Sequence, residues 1–209
     1  MASTTFTYDI LTGTVSTSGS IRQWAQHAVI PVEQILEEAQ QWIYERLRHQ
    51  NMMTVETVAT IADAYTLTPP DGFLDPIELK LWGDEKELDY VHENMLGRYV
   101  DQDGTIQDGR PQRYSYYGDL IQFDCANDGT DGTLNAELLF FKTPDLLSPL
   151  IQTNWLTDRF GGLLRQTCTA KAYEHRKRPE ASGEYMLAEK AINEANIASD
   201  FMRRGQLVR

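Results

Sequence analysis

Cysteine is scarce in this chain: two in 209 residues, with no Cys-x-x-Cys pair. That excludes a disulfide scaffold and leaves no motif for a thiolate zinc site or a dithiol redox centre. No apolar run approaches the roughly 20 residues that span a bilayer, so no membrane partner is expected. The opening MASTTFTYDI has no charged-then-apolar segment, and no secretory signal is expected. Catalytic signatures are missing too. The chain has no GxxxxGK phosphate loop, no GxGxxG, no GxSxG and no HExxH. His92-Glu93 begins like a zinc-protease helix, but Leu96 stands where the second histidine belongs, and His27, His49, His92 and His175 have no ligand spacing. Positive charge is short: 19 Lys and Arg face 31 Asp and Glu, a net of −12. A protein that grips nucleic acid with its whole surface is therefore excluded.

Enough apolar residues are present for a core. They make up 41% of the chain against 24% charged, and the length suits one or two small domains. Charge is unevenly distributed. Residues 1–50 carry 3 basic and 5 acidic side chains, residues 51–150 carry 6 and 19, and residues 151–209 carry 10 and 7. An acidic middle and a mildly basic end imply that different faces meet different partners.

Residues 1–19, rich in Thr, Ser and Gly, read as a flexible arm, either frayed or ordered on a neighbouring subunit. A short helix is expected from Ser20 to about Val29, capped by Ser20 and with Trp24 inward. The next helix is predicted over 32–48, where Ile35, Leu36, Ala39, Trp42, Ile43 and Leu47 form one stripe. From about 55 to 145 the pattern changes to short alternating segments separated by Asp-Gly turns at 71–72, 103–104, 108–109, 128–129 and 131–132, which predicts five or six antiparallel strands. A short helix is expected within 92–99. Two helices close the chain. One runs from Thr153 or Asn154 to about Lys177, with Leu156, Phe160, Leu163, Leu164, Cys168 and Ala172 inward. The second begins near Ser182, has Leu187, Ala191, Ala195, Ala198 and Met202 as its spine, and stops at Gly205. The fold class expected is α+β: a helical bundle from the N- and C-terminal helices (20–54 plus 150–205) with a small antiparallel β-region inserted at 55–149, and a tail at 206–209.

The acidic turns match metal-binding loops only in part. DQDG (101–104) starts like a calcium loop but continues with Thr105 and Ile106, and NDGTDG (127–132) places Leu138 where the twelfth-position glutamate belongs. Turn chemistry accounts for both, so no metal, no cofactor and no catalytic residue is expected. The basic run HRKR (175–178) fits either a phosphate contact or the favourable placing of cations at a helix end.

Three segments in order carry a resemblance: IPVEQILEEAQQWIYERLR (30–48), LTPPDGFLDPIELKLWG (67–83), and the run from TNWLTDRFGG to FMRRG (153–205). Together they resemble phage head-to-tail adaptor, or head-completion, proteins over about residues 30–205. Asp158-Arg159-Phe160 occupies the stretch where that family usually carries a proline. The resemblance implies a structural protein of the virion neck, assembled in the host cytoplasm. It implies a homo-oligomeric ring, usually of twelve copies, joining the portal protein to a downstream tail or nozzle protein. DNA would pass through the bore without sequence-specific contact, past an acidic wall that repels phosphates. It also implies that the C-terminal end inserts between portal subunits. Phe201, Met202, Arg203, Arg204, Leu207, Val208 and Arg209 are the candidate interface, apolar and cationic residues on an end too short to build its own core. The alternatives are another neck or tail-completion protein, an enzyme using a divalent metal in the acidic loops, and an ordinary binding module.

Overall fold

A computed structural model of the chain describes residues 6–60, 64–82, 86–97, 106–127 and 134–206. Two compact units are formed, one from Met1–Met52 with Pro144–Arg209 and one from Met53–Thr143.

The first unit is helical. Its elements are α1 (Tyr8–Leu11), α2 (Ile21–Trp24), α3 (Val32–Arg46), a 3-10 turn at Gln50–Met52, α4 (Trp155–Arg159), α5 (Gly161–His175) and α6 (Ala181–Gln206). Along α3, Ile35, Leu36, Ala39 and Ile43 recur at helical spacing and are all buried. Trp42 lies at the margin of that stripe, half-buried, with its ring 5.3 Å from Tyr185 of α6 and under the Arg46 guanidinium. At the centre is α5, which touches α2, α3, α4 and α6. Its Thr167, Cys168, Ala170 and Ala172 are buried and small, which lets neighbouring helices approach closely, and the buried Thr167 hydroxyl donates back to Leu163 O.

Polar side chains fix how the returning chain docks on α3. The fully buried Gln40 accepts the Leu147 N–H at 2.8 Å, and the Tyr44 hydroxyl accepts from Asn154 Nδ2 at 3.1 Å. Asn154 also caps α4 through the Leu156 and Thr157 N–H groups. At the end of α3, Asn196 of α6 donates to Arg46 O and accepts from Arg48 N, while Ser199 accepts from Gln50 N. The first satisfies a carbonyl that the helix C-terminus leaves unpaired, the other two pair N–H groups of the segment beyond it, and Leu47 turns extended between them. His49 follows, buried, stacked on Trp155 at 5.7 Å and edge-on to Phe160, with Nδ1 accepting the Asn51 N–H. Burial, and then the Arg159 cation, pull its pKa below 6.5.

The second unit is built of strands. One sheet has the order β1 (Met53–Thr60), β9 (Leu134–Lys142), β3 (Phe73–Leu81), all antiparallel. The other has the order β2 (Thr66–Leu67), β7 (Leu120–Phe123), β6 (Arg113–Tyr117), β4 (Asp89–Tyr90). Leu79, Leu81, Ala136, Leu138 and Phe140 of the first sheet pack with Leu67, Tyr114, Ile121 and Phe123 of the second in one core. A two-residue turn links β6 to β7, with Gly118 and Asp119 both at positive φ, the geometry that matches strand twist. Two bulges shift the register of β3 around Pro76, which cannot donate to a ladder.

Several expectations are overturned. Among the described residues the architecture is a mixed one of six helices with sheets of three and four strands and a two-stranded pair, not a helical bundle carrying a small antiparallel insertion. Three of the six helices span only four or five residues, and α5 rather than a four-square bundle organises the unit. Nor is the β-region wholly antiparallel: β4 runs parallel to β6, and β5 (Asp108–Gly109) runs parallel to β8 (Ala126–Asn127). Parallel pairs join segments distant in sequence, so no local turn signal reports them. Asp108-Gly109 is thus strand rather than turn, whereas Gly72 does take a turn conformation at positive φ. The expected helix in 92–99 is a 3-10 turn at Glu93–Met95, and positions 98–99 lie outside the described residues. Residues 6–19, read as part of a flexible arm, fold back instead. Thr7 caps α1, Tyr8 and Leu11 are buried, and the Tyr8 N–H donates to Gln152 O. The single helix expected from 153 to 177 is broken at Phe160, whose ring packs on His49 and Trp155. A Cβ at Gly161 would come within 3.0 Å of the Phe6 ring.

Two measurements check this account. Asn196→Ala removes both bonds at the end of α3 and should cost about 1–2 kcal/mol in thermal or denaturant unfolding, with the native far-ultraviolet spectrum retained. His49 is held neutral in the fold. The unfolded chain takes up its proton first as pH falls through 6.5, and stability is lost from there down to the lower folded pKa. In His49→Asn, Oδ1 can still accept the Asn51 N–H, so the fall in stability between pH 7 and pH 5 should be shallower than in the parent. An equal slope would remove His49 from the acid response.

Candidate interaction surface

The longest helix, α6, has 26 residues, about 39 Å at 1.5 Å per residue. Up to Asp200 its fully buried side chains are Ala188, Ile192 and Ser199, with Ala191 and Ala195 half-buried beside them. The spine expected from the sequence is therefore turned: Leu187 is 52% exposed and Ala198 is exposed. Alanines stand on several faces of this helix, so composition did not say which face meets α5. Met186, Leu187 and Ile197 are left on the outer side. The helix is tied down by Tyr185, whose hydroxyl donates to Glu174 of α5 at 2.5 Å. That bond holds the Glu174 carboxyl below its ordinary range, and burial together with the same carboxylate pushes the Tyr185 phenol up.

Of the candidate portal-facing residues, Phe201, Met202, Arg203 and Arg204 lie on the last turns of α6, which runs through Gly205 to Gln206. Gly205 is thus not the stop expected. Glycine in a helix costs only about 1 kcal/mol, too little to end one by itself. Leu207, Val208 and Arg209 lie outside the described residues, as do the acidic turns at 101–104 and 128–132 with Asp101, Asp103, Asp128 and Asp131.

Other sequence signals have structural uses. In the HRKR run, Arg176 donates to Ala25 O, the Arg178 guanidinium lies over the Tyr173 ring, and Lys177 occupies the left-handed turn after α5. His92 Nδ1 accepts the Asn94 N–H at the start of a 3-10 turn. Nothing in the sequence marks Asn196, Ser199 and Gln40 for the bonds they make. An isolated polar residue within a helical stripe carries no sign of the backbone group it will meet.

Charge divides with the two units. Met53–Thr143 holds 18 acidic and 6 basic side chains, a net of −12, while the helical unit holds 13 of each and is neutral. The whole net charge thus belongs to the β unit. Among the described residues, no three His, Cys, Asp or Glu are placed to hold a metal ion, and no helix is long and apolar enough to cross a membrane.

The sequence matches the SU10 adaptor protein family over residues 7–208. No curated protein matches it. The match spans both the helical and the β unit, and with it the long C-terminal helix. The chain therefore belongs to the SU10 adaptor protein family, a phage head-tail adaptor family, and is a structural component of the virion.

Proposed function

We propose that the protein joins the portal to the tail in the virion neck, as a ring of identical copies, a dodecamer, through which DNA passes. The observation that carries this reading is the family match over nearly the whole chain, taken with the form of α6. This helix is fixed to the rest of its unit by Tyr185, Ala188, Ile192, Asn196 and Ser199 and continues for two further turns. The end that follows, Phe201–Arg209, combines Phe201, Met202, Leu207 and Val208 with Arg203, Arg204 and Arg209, a composition suited to an apolar and acidic groove between portal subunits. Ordering such an end on the portal costs conformational entropy that the buried contacts must exceed.

Ring closure uses heterologous contacts, in which one face of a copy meets a different face of the next. The outer side chains of α6, Met186, Leu187 and Ile197, are apolar surface available for such a contact. The net charge of −12 on each β unit, repeated around a ring, repels DNA phosphates and favours sliding over sticking. The β unit takes the downstream tail or nozzle protein. Assembly occurs in the host cytoplasm, and no catalytic step is part of the role.

Deletion of residues 203–209 tests the portal contact. The shortened protein should keep its helix content and melting temperature, and should fail to bind the portal from the same genome when complex mass is measured by native mass spectrometry. Heads assembled with it should leak DNA or lack tails. Normal portal binding would move the contact away from the C-terminal end.

A further inference from the structure

A cavity of about 360 Å³ opens on the helical unit between α2, α5 and the start of α6. Two half-buried aromatic rings wall it, Trp24 of α2 and Tyr173 of α5, and each carries a cation over its face. The Arg165 guanidinium lies 5.8 Å from the Trp24 ring centre, and the Arg178 guanidinium lies 5.7 Å from that of Tyr173. Arg176 reaches the same place and donates to Ala25 O, next in the chain to Trp24. Lys177 follows in the turn that closes α5, where Lys177 N donates to Glu174 O and Arg178 N donates to Tyr173 O.

Among the described residues, none of Arg165, Arg176, Lys177 and Arg178 meets a carboxylate. Glu174 is already engaged by Tyr185 and Lys171. Glu184, which lines the cavity, and Glu180, shortly after Arg178, form no ion pair with these cations. A favourable place at a helix C-terminus accounts for the cations at 176–178 but not for Arg165, which lies near the other end of α5. Lys177 supplies an independent observation. It holds the left-handed conformation, φ +54°, at the position after a helix where glycine is the usual residue. A lysine there bears a conformational cost and keeps an exposed ammonium next to two guanidinium groups. The Trp24 and Tyr173 rings hold the faces of Arg165 and Arg178, which leaves their N–H edges for a planar acceptor. Because these side chains are already positioned, pairing them costs little further rotamer freedom.

We propose that this basic cavity receives carboxylate side chains from the β unit of the next copy, so that the ring closes with an acidic face of one chain on a basic face of another. The inference rests on the ring reading and names the two faces that meet. Charge complementarity selects the occupant. The β unit holds 18 acidic and 6 basic side chains, so every copy brings the acidic surface that its neighbour's cavity takes. Two different faces of one chain meeting is the heterologous contact that a closed ring requires. A cavity of this size admits side chains rather than a DNA duplex.

Native mass spectrometry of the full-length protein assembled on the portal from the same genome reads the contact. Arg165→Glu with Arg178→Glu should weaken the association of copies by about tenfold or more at an unchanged melting temperature, and Arg165→Gln with Arg178→Gln should weaken it less. Raising sodium chloride from about 0.1 M to about 0.5 M should weaken the parent ring several-fold and the Gln variant less. Zero-length carbodiimide coupling, applied to a ring mixed from isotopically light and heavy copies, should join Lys177 of one copy to carboxylates within 53–143 of another. A normal ring mass for the charge-reversed variant, or Lys177 coupled only to portal carboxylates, overturns the proposal. Binding of a short DNA duplex by the parent that the charge-reversed variant loses also overturns it, in favour of a phosphate site. If the parent binds the portal as a single copy or not at all, the ring reading fails instead, and the cavity is tested on the free chain. There N-acetyl-hexaglutamate amide should bind about tenfold more tightly than the hexaglutamine peptide, with the preference lost on charge reversal. Equal binding of the two peptides would overturn the assignment of the cavity to carboxylates.

Discussion

The helical unit depends on one set of polar contacts along α3. Its two halves of chain are separated by the whole β unit, so their meeting closes a long loop, at an entropic cost that grows only slowly with loop length. Apolar packing supplies much of the attraction but little register. Register comes from Gln40, which takes the Leu147 N–H, from Tyr44, which takes the Asn154 amide, and from Asn196 and Ser199, which take the backbone at 46–50. A slip along α3 would leave the buried Gln40 amide unpaired, and burying an unpaired polar group costs more than one ordinary contact returns. Asn154 couples the same contact to the start of α4, so the returning chain is placed and its first helix nucleated in one step.

With α3 anchored in this way, α5 can lie at the centre and α6 along it. The long helix is fixed near its start by Tyr185 and Glu174 and further along by Asn196 and Ser199. Most of its other side chains face outward. That suits a member of a head-tail adaptor family, in which a subunit must keep surface for its neighbours. The separation of charge fits the same role. The helical unit is neutral and the β unit carries the whole net charge of −12, so electrostatic repulsion of other acidic surfaces is concentrated on the β unit.

The elements legible in advance were those with strong local signals. The α3 stripe reads directly from the spacing of Ile35, Leu36, Ala39 and Ile43, and Ser20 and Asn154 carry cap chemistry that the structure uses. Strands β3 and β9 read from apolar alternation, with Leu79, Leu81, Leu138 and Phe140 inward. The interaction surface was less legible. Leu187 was assigned to the wrong side of α6 because alanines blur the helical stripe.

From the sequence alone, this protein's lack of known catalytic motifs, the acidity of its middle third and its likeness to phage adaptors could be read, because composition and local motif order carry them. Tertiary structure decided the rest: the break at Phe160, the parallel pairings β4–β6 and β5–β8, and the orientation of α6. It also set the bonds that Gln40, Asn196 and Ser199 make. Each of these depends on which distant residue arrives opposite, and a linear pattern of spacing and propensity does not contain that information.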